Sequence, residues 1–247
     1  MTTVLFAIED GVATITLNRP ESRNALNAVM CDELLAHVGR AQADASIRLV
    51  FIRANGPVFC AGADLKERQG MDEDAVRARR LKAFAVYDAI ERLPMPSIAV
   101  VAGPALGSGC EIAASCDFII ATPATSFRTP EALWGTIGAT QRLPRIIGKR
   151  LAKDMMFTGR TLGADEALTA GLVSRVIAPN ELGATLAAVA KTVVGAPPDA
   201  LRLAKRSIDR GVLLDPKGAL AVELAAIEEN LARADWRSGI DRFGSKS

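Results

Sequence analysis

With 247 residues, 49% of them hydrophobic and 23% charged, the chain has the composition of a globular protein with a substantial core, either one large domain or a core with an appendage. A formal net charge of +2, with basic residues scattered and none of them interleaved with stacking aromatics, argues against a nucleic-acid partner. No stretch approaches the roughly 18 apolar residues that cross a bilayer, and Met1-Thr2-Thr3-Val4 lacks a basic-then-apolar signal. No membrane partner and a cytoplasmic location are therefore expected.

In chain order, the apolar runs Val4 to Ile8 and Val12 to Leu17 predict two short strands, joined by a hairpin at Glu9-Asp10-Gly11. Leu26, Val29, Met30, Leu34 and Val38 recur at helical spacing and predict a helix over 25–43. It carries His37, the single histidine, in a packed or surface role. Leu49 to Arg53 reads as a strand closed by Ala54-Asn55-Gly56-Pro57. A helix over 73–92 stops at Pro94-Met95-Pro96 and bears the densest positive cluster, Arg77, Arg79, Arg80 and Lys82. That cluster is either a solvated face or a rim that docks an anionic ligand tail. A strand over 97–102, a short helix over 108–115 and a strand over 117–121 follow. From Thr140 onward helical patterns dominate, interrupted by a short strand at Leu172 to Ile177. Ala196-Pro197-Pro198 separates two helices, and Pro216 opens a last one over 216–234. The order predicts an α/β core with its chemistry on loops at the sheet edges, followed by a helical annex suited to oligomer contacts.

Cys31, Cys60, Cys110 and Cys116 lack CxxC spacing and read as reduced, buried thiols rather than a zinc site. One histidine and no nucleophile elbow leave little room for a Ser–His–Asp hydrolase, so acid–base work falls to carboxylates. Two glycine-rich segments carry the chemistry: Phe59-Cys60-Ala61-Gly62-Ala63-Asp64-Leu65-Lys66 and Gly103-Pro104-Ala105-Leu106-Gly107-Ser108-Gly109-Cys110-Glu111. Each resembles a strand end turning into a helix, where backbone N–H groups lack partners and small residues admit a ligand. Two such groups aimed at one carbonyl oxygen would stabilise the charge it gains on becoming an enolate. Glu111, three residues after Ser108, and Glu131, on a separate loop after Thr129-Pro130, supply two carboxylates near that oxygen. One could accept a proton from attacking water while the other, protonated, delivers one. An enzyme acting on acyl groups without a metal is expected. At 108 the side chain could cap the helix, narrow the pocket or bond the substrate.

Five ordered stretches resemble the crotonase superfamily of enoyl-CoA hydratases and isomerases. They are Asn18-Arg19-Pro20 through Asn24-Ala25-Leu26-Asn27, Phe59 to Lys66, Gly103 to Glu111 with Cys116-Asp117, Thr129-Pro130-Glu131 to Gly135-Thr136-Ile137, and Thr140-Gln141-Arg142-Leu143-Pro144. Similarity continues through Thr158-Gly159-Arg160 and Ala170-Gly171-Leu172-Val173. The resemblance implies an α/β fold: a ββα spiral core, taken as 1–190, and a C-terminal helical trimerisation region, 191–247. It implies an acyl-CoA thioester as substrate, no cofactor besides the coenzyme A that the substrate carries, and a homotrimer or homohexamer. It places the oxyanion hole at the Ala63 and Ser108 amides and the catalytic acids at Glu111 and Glu131. It places coenzyme A against Arg23, Ala25, Leu26, Ala61, Gly62, Asp64, Leu65 and Lys66. Leu65, Met71, Phe84, Tyr87 and Trp134 are candidate pocket lining or ordinary core.

A glutamate at both acid positions favours hydratase chemistry, giving a 3-hydroxyacyl-CoA. Double-bond isomerisation or dehydration of a substituted acyl-CoA is the alternative, with a non-catalytic acyl-CoA or RNA binder behind it. Two departures stand out. Gly135-Thr136-Ile137-Gly138-Ala139-Thr140-Gln141-Arg142-Leu143 is three residues shorter than the family's usual Gly-Thr-Ile-Pro-Gly-Ala-Gly-Gly-Thr-Gln-Arg-Leu. The tail ending at Ser247 lacks a longer lysine-bearing extension, leaving Phe243 and Lys246 as its substitutes for coenzyme A contacts.

Overall fold

The computed structural model describes residues 2–233 together with Trp236, Arg237 and Ile240; Phe243 and Lys246 lie outside the described residues. Strands β1 (Val4–Glu9) and β2 (Val12–Leu17) form the expected antiparallel hairpin. Its turn places Asp10 at φ 47° and Gly11 at φ 79°, the left-handed pair that matches strand twist. The chain then runs through α1 (Ala28–Ala43), β3 (Leu49–Ala54), α2 (Glu73–Glu91), β4 (Ser97–Val101), β5 (Pro104–Leu106), α3 (Ser108–Ala114), β6 (Phe118–Ala121) and β7 (Ser126–Arg128). There follow α4 (Arg142–Ile147), α5 (Lys149–Thr158), β8 (Leu162–Gly163), α6 (Ala164–Thr169), β9 (Arg175–Val176), α7 (Leu182–Gly195), α8 (Pro198–Gly211) and α9 (Pro216–Leu231).

Six strands form the main sheet in the order β1-β2-β3-β4-β6-β9, parallel from β2 onward. Side chains alternate between its faces, and the central strands are buried on both. Val50, Ile52, Ala99 and Val101 join the main core with α1 and α2, while Leu49, Phe51, Ile98, Val100 and Ile120 pack under Val189 of α7. A division after residue 190 thus falls inside α7, a helix that packs on the core; the two helices beyond it, α8 and α9, pair through Arg202 and Arg206 of α8 with Glu229 of α9. A second sheet, β5-β7-β8, escaped the sequence reading because its strands span only two or three residues. The expected helix over 25–43 starts later, at Ala28, because Asn27 caps it by accepting from the Met30 amide at 2.9 Å. Leu26 is thereby freed to bridge to Ala63. Only Arg175–Val176 of the expected strand at 172–177 pairs with the sheet.

All four cysteines are free and buried, as expected, and burial pushes Cys31 up to about 11 and Cys60 up to about 12. His37 stacks on Phe6 with ring centroids 5.0 Å apart, a packed role. The positive cluster on α2 is not a solvated face. Arg79 is buried, pairs with Glu67 at 2.6 Å and donates to the Leu26 carbonyl; Arg80 reaches Thr136 and the Ile137 carbonyl. Only Arg77 and Lys82 keep to the surface, beside Asp74 and Asp32.

Fully buried Asn24, at φ 53°, fixes the segment that enters α1. Its Oδ1 accepts from the Arg19 amide at 2.8 Å, and its Nδ2 donates to the Asn55 and Val58 carbonyls at 2.9 and 2.8 Å. Asn24→Ala would remove the partner of three half-buried backbone groups, each costing up to about 1–3 kcal/mol if left unpaired. We expect a loss near 3 kcal/mol after partial hydration of the gap, read from the urea midpoint; an unchanged midpoint would contradict this assignment.

Candidate active site

The two glycine-rich turns are stitched together by backbone. Cys60 bridges to Ala105, and the Leu106 amide donates to the Cys60 carbonyl at 2.8 Å. On its other side the first turn pairs with Arg23–Leu26: Ala61 donates to the Arg23 carbonyl, Leu26 to the Gly62 carbonyl and Asp64 to the Leu26 carbonyl, at 3.0, 2.8 and 2.9 Å. Ala63 is left between these bonds. A methyl built on Gly62 would sit 3.9 Å from the Ser108 amide nitrogen, so the two turns face each other closely. Among the described residues, neither the Ala63 nor the Ser108 amide donates a backbone hydrogen bond, and both residues line one cavity of about 910 Å³.

Both predicted acids open onto that cavity. Glu111 projects from α3, and Glu131 stands at the start of a 3-10 turn, Glu131–Trp134. At Gly107, with φ 49°, an added Cβ would lie 2.5 Å from Glu131 Oε1, so the second carboxylate rests directly on the second turn. The shortened segment closes over it: Gly138 has Glu131 Oε1 within 3.3 Å of its own Cβ position, and Ala139 takes a left-handed φ of 55°.

The two acids live in different surroundings. Burial raises both above the ordinary carboxylate range. For Glu111 this is opposed by Arg142, whose Nη1 lies 3.1 Å from its Oε2 and whose Nη2 holds Glu91 at 2.5 Å. Glu131 has no such partner: its Oε2 is buried without a hydrogen bond, and the charge of Glu111 pushes it further up. Sequence reasoning noted Arg142 only as a motif residue; its distance of 31 positions from Glu111 hides the pairing.

At Ser108 the cap reading fails. Gly107 occupies the N-cap position without a side-chain bond, and the Ser108 hydroxyl meets buried Tyr87 instead. Of the residues predicted to line the site, Arg23, Ala25, Ala61, Gly62, Asp64, Leu65 and Lys66 face the cavity. Leu26 does not: its side chain is fully buried in the core, and only its backbone shapes the wall. The Asp64 carboxylate is engaged by Arg19 at 3.1 Å and by the Lys66 amide at 3.1 Å, which makes it a brace for the turn. Phe84, Tyr87 and Trp134 line the cavity and Met71 does not. Arg68 and Arg80 also line it; Arg68 was missed because a lone loop arginine carries no motif signal. Among the described residues no three metal-ligating side chains cluster, and no helix is long and apolar enough to cross a membrane.

Comparison with known proteins gives the family. The family described as Enoyl-CoA hydratase/isomerase matches residues 7–247. The chain is 38% identical to a short-chain-enoyl-CoA hydratase of Clostridium acetobutylicum over 247 residues, covering 98% of this chain and 95% of that protein. It is 37% identical to an enoyl-CoA isomerase/hydratase of Mycosarcoma maydis over 248 residues, covering 96% and 90%. The crystal structure of an enoyl-CoA hydratase from Bacillus anthracis superposes with a TM-score of 0.95 at 35% identity, covering 99% of this chain and 96% of that one. The fold is the crotonase fold, and the chain belongs to the enoyl-CoA hydratase/isomerase family.

Proposed function

We propose that this protein hydrates a 2-enoyl-CoA to a 3-hydroxyacyl-CoA. The observation that carries the reading is the placement of two unlike carboxylates on one cavity with two undonated backbone amides. The thioester oxygen would accept from the Ala63 and Ser108 amides. Such main-chain donors contribute about 2.7–4 kcal/mol each to the transition state. Glu111, kept ionisable by Arg142, takes a proton from water as its oxygen bonds to Cβ. The electron pair of the double bond moves onto the thioester oxygen, and the resulting enolate collects a proton at Cα from Glu131. The elements of one water are thereby added, and the two carboxyl groups return to their starting states by proton exchange with solvent.

Coenzyme A is the handle of the substrate rather than a resident cofactor, lying along Arg23, Ala25, Ala61 to Leu65 and Lys66. Assembly as a homotrimer or homohexamer is part of the same proposal. It is supported by the exposed Val212, Leu213, Leu220 and Leu224 at the α8–α9 end of the molecule. Isomerisation is the second reading, favoured by one feature: Arg142 could hold Glu111 out of play and leave Glu131 to shuttle a proton alone. Crotonyl-CoA incubation with product mass separates the two, since hydration adds the mass of water and a double-bond shift adds none. Loss of the conjugated enoyl absorbance with that mass gain is expected; a product of unchanged mass from longer enoyl esters would replace hydration by isomerisation.

The pH dependence follows from the two environments. Glu111 must be ionised, so kcat/KM rises as pH climbs through its pKa, which lies above the usual carboxylate value. Glu131 must be protonated, so kcat/KM falls as pH climbs through its own raised value. The pair titrates jointly, and Glu111 ionises first because it alone has a guanidinium in contact. A bell-shaped profile is expected. Glu111→Gln should remove the acid limb and Glu131→Gln the alkaline limb, each with a kcat loss of about 10²–10⁴-fold. Unaltered limbs in both variants would reject these roles.

Gly107→Ala tests the seat of Glu131. The new methyl would displace Glu131 Oε1 and strain the backbone. A shift near 1 Å should lower kcat about a hundredfold, with little change in KM for the thioester; full activity in this variant would mean that Glu131 needs no fixed seat.

A further inference from the structure

The cavity holds more positive charge than the proposed hydration uses. Arg68 lines it, and its Nε is buried without a hydrogen-bond partner. No carboxylate among the described residues is in ion-pair contact with Arg68, although Arg79 close by is paired with Glu67 at 2.6 Å. Its neighbours are hostile to a cation: burial comes first, then the charges of Arg80 and Arg79, and together they lower its proton affinity. Arg80 also lines the cavity and is bonded only to neutral groups, the Thr136 hydroxyl and the Ile137 carbonyl at 2.9 Å. Two guanidinium groups thus share a half-buried wall with no anion in contact, an arrangement that a bound anion would stabilise.

Their position selects the part of the ligand they would meet. Tyr87, Phe84 and Arg80 fall on one face of α2 at successive turns, and all three line the cavity. Tyr87 contacts Ser108, beside the proposed oxyanion hole. At about 1.5 Å per residue, the Arg80 backbone stands about 10 Å further along. Arg80 is bonded to Thr136 and Ile137, whose next neighbour Gly138 lies against Glu131 Oε1, and Arg68 lines the same cavity with its charge felt by both Arg80 and Glu131, so the pair lies on the side where the acids reach the acyl chain. An arginine side chain extended from that distance meets an acyl chain a few carbons beyond the thioester.

We propose that Arg68, with Arg80, forms a carboxylate subsite, and that the natural substrate is an acyl-CoA whose acyl chain ends in a carboxylate. The planar guanidinium fork of Arg68 suits such a group, which neither Phe84 nor Trp134 on the same cavity could bind. This inference rests on the acyl-CoA reading of the site. It is independent of whether the reaction is hydration or isomerisation.

The test uses saturated thioesters, which bind without turnover. Calorimetric affinities of glutaryl-CoA and butyryl-CoA are compared for the wild type, Arg68→Met and Arg68→Lys. The wild type should prefer glutaryl-CoA at least tenfold; Arg68→Met should bring that ratio to about one, and Arg68→Lys should keep part of it. Because no ion pair is lost, the melting midpoint of Arg68→Met should match or exceed that of the wild type, which controls for folding. Equal wild-type affinity for the two esters would overturn the subsite. So would an equal loss of both in Arg68→Met, which would put Arg68 on a phosphate of coenzyme A. Failure of every thioester, and of free coenzyme A, to bind would instead overturn the acyl-CoA reading, and the subsite with it.

Discussion

The structure depends on one short stretch of backbone held from both sides. Ala61–Asp64 is paired to Arg23–Leu26 along one edge, and the preceding Cys60 is paired to Ala105–Leu106 along the other. These bonds use the Ala61 and Asp64 amides and the Gly62 carbonyl and leave the Ala63 amide, in a residue that lines the cavity, without a backbone acceptor. The supports behind them are polar and buried. Asn24 fixes the outer edge, while Glu67 accepts from the Ala28 amide at 2.7 Å and from Arg79, tying α1 and α2 to the same turn. A donor held this way loses little on meeting a developing charge, because its orientation is already set by the fold.

Around that fixed point the protein distributes charge unevenly. Arg142 links Glu111 to the more exposed Glu91, while Glu131 is enclosed by Gly107, Gly138 and the Ala139 turn with one oxygen unpartnered. Equal carboxyl groups thereby sit in unlike surroundings, which is how one acid and one base at a common pH are arranged. The shortened segment has a physical part in this. Thr136 and Ile137, at the start of the segment that is three residues shorter than the usual motif, are bonded by Arg80 and anchor the loop to α2.

Much of the fold was legible in the sequence because its signals are local. The Asp10-Gly11 turn, the apolar runs of β3 and β4 and the periodic face of α1 were each read from neighbours in the chain. So were the two glycine-rich turns, whose small residues permit the close backbone approaches found there. The second sheet was not legible, since strands of two or three residues have no period to detect. Nor was the fate of Arg79, Arg80 and Arg142: a helical arginine next to other arginines reads as solvated, and only tertiary contact buries it against Glu67, the 136–137 segment or Glu111. Asn24 stood in the sequence only as part of a motif, and its three bonds run to the Arg19 amide at one end and to Asn55 and Val58 more than thirty positions away. At Ser108 local logic gave the wrong answer, because the N-cap falls one residue earlier, on Gly107.

The most direct measurement of the central claim is the infrared stretch of a carbonyl-labelled unsaturated acyl-CoA bound to the protein. Convergence of the Ala63 and Ser108 amides on the thioester oxygen predicts a carbonyl band at lower frequency than in water, because two fixed donors polarise the bond. A bound ester whose band stays at or above its aqueous position would contradict the account.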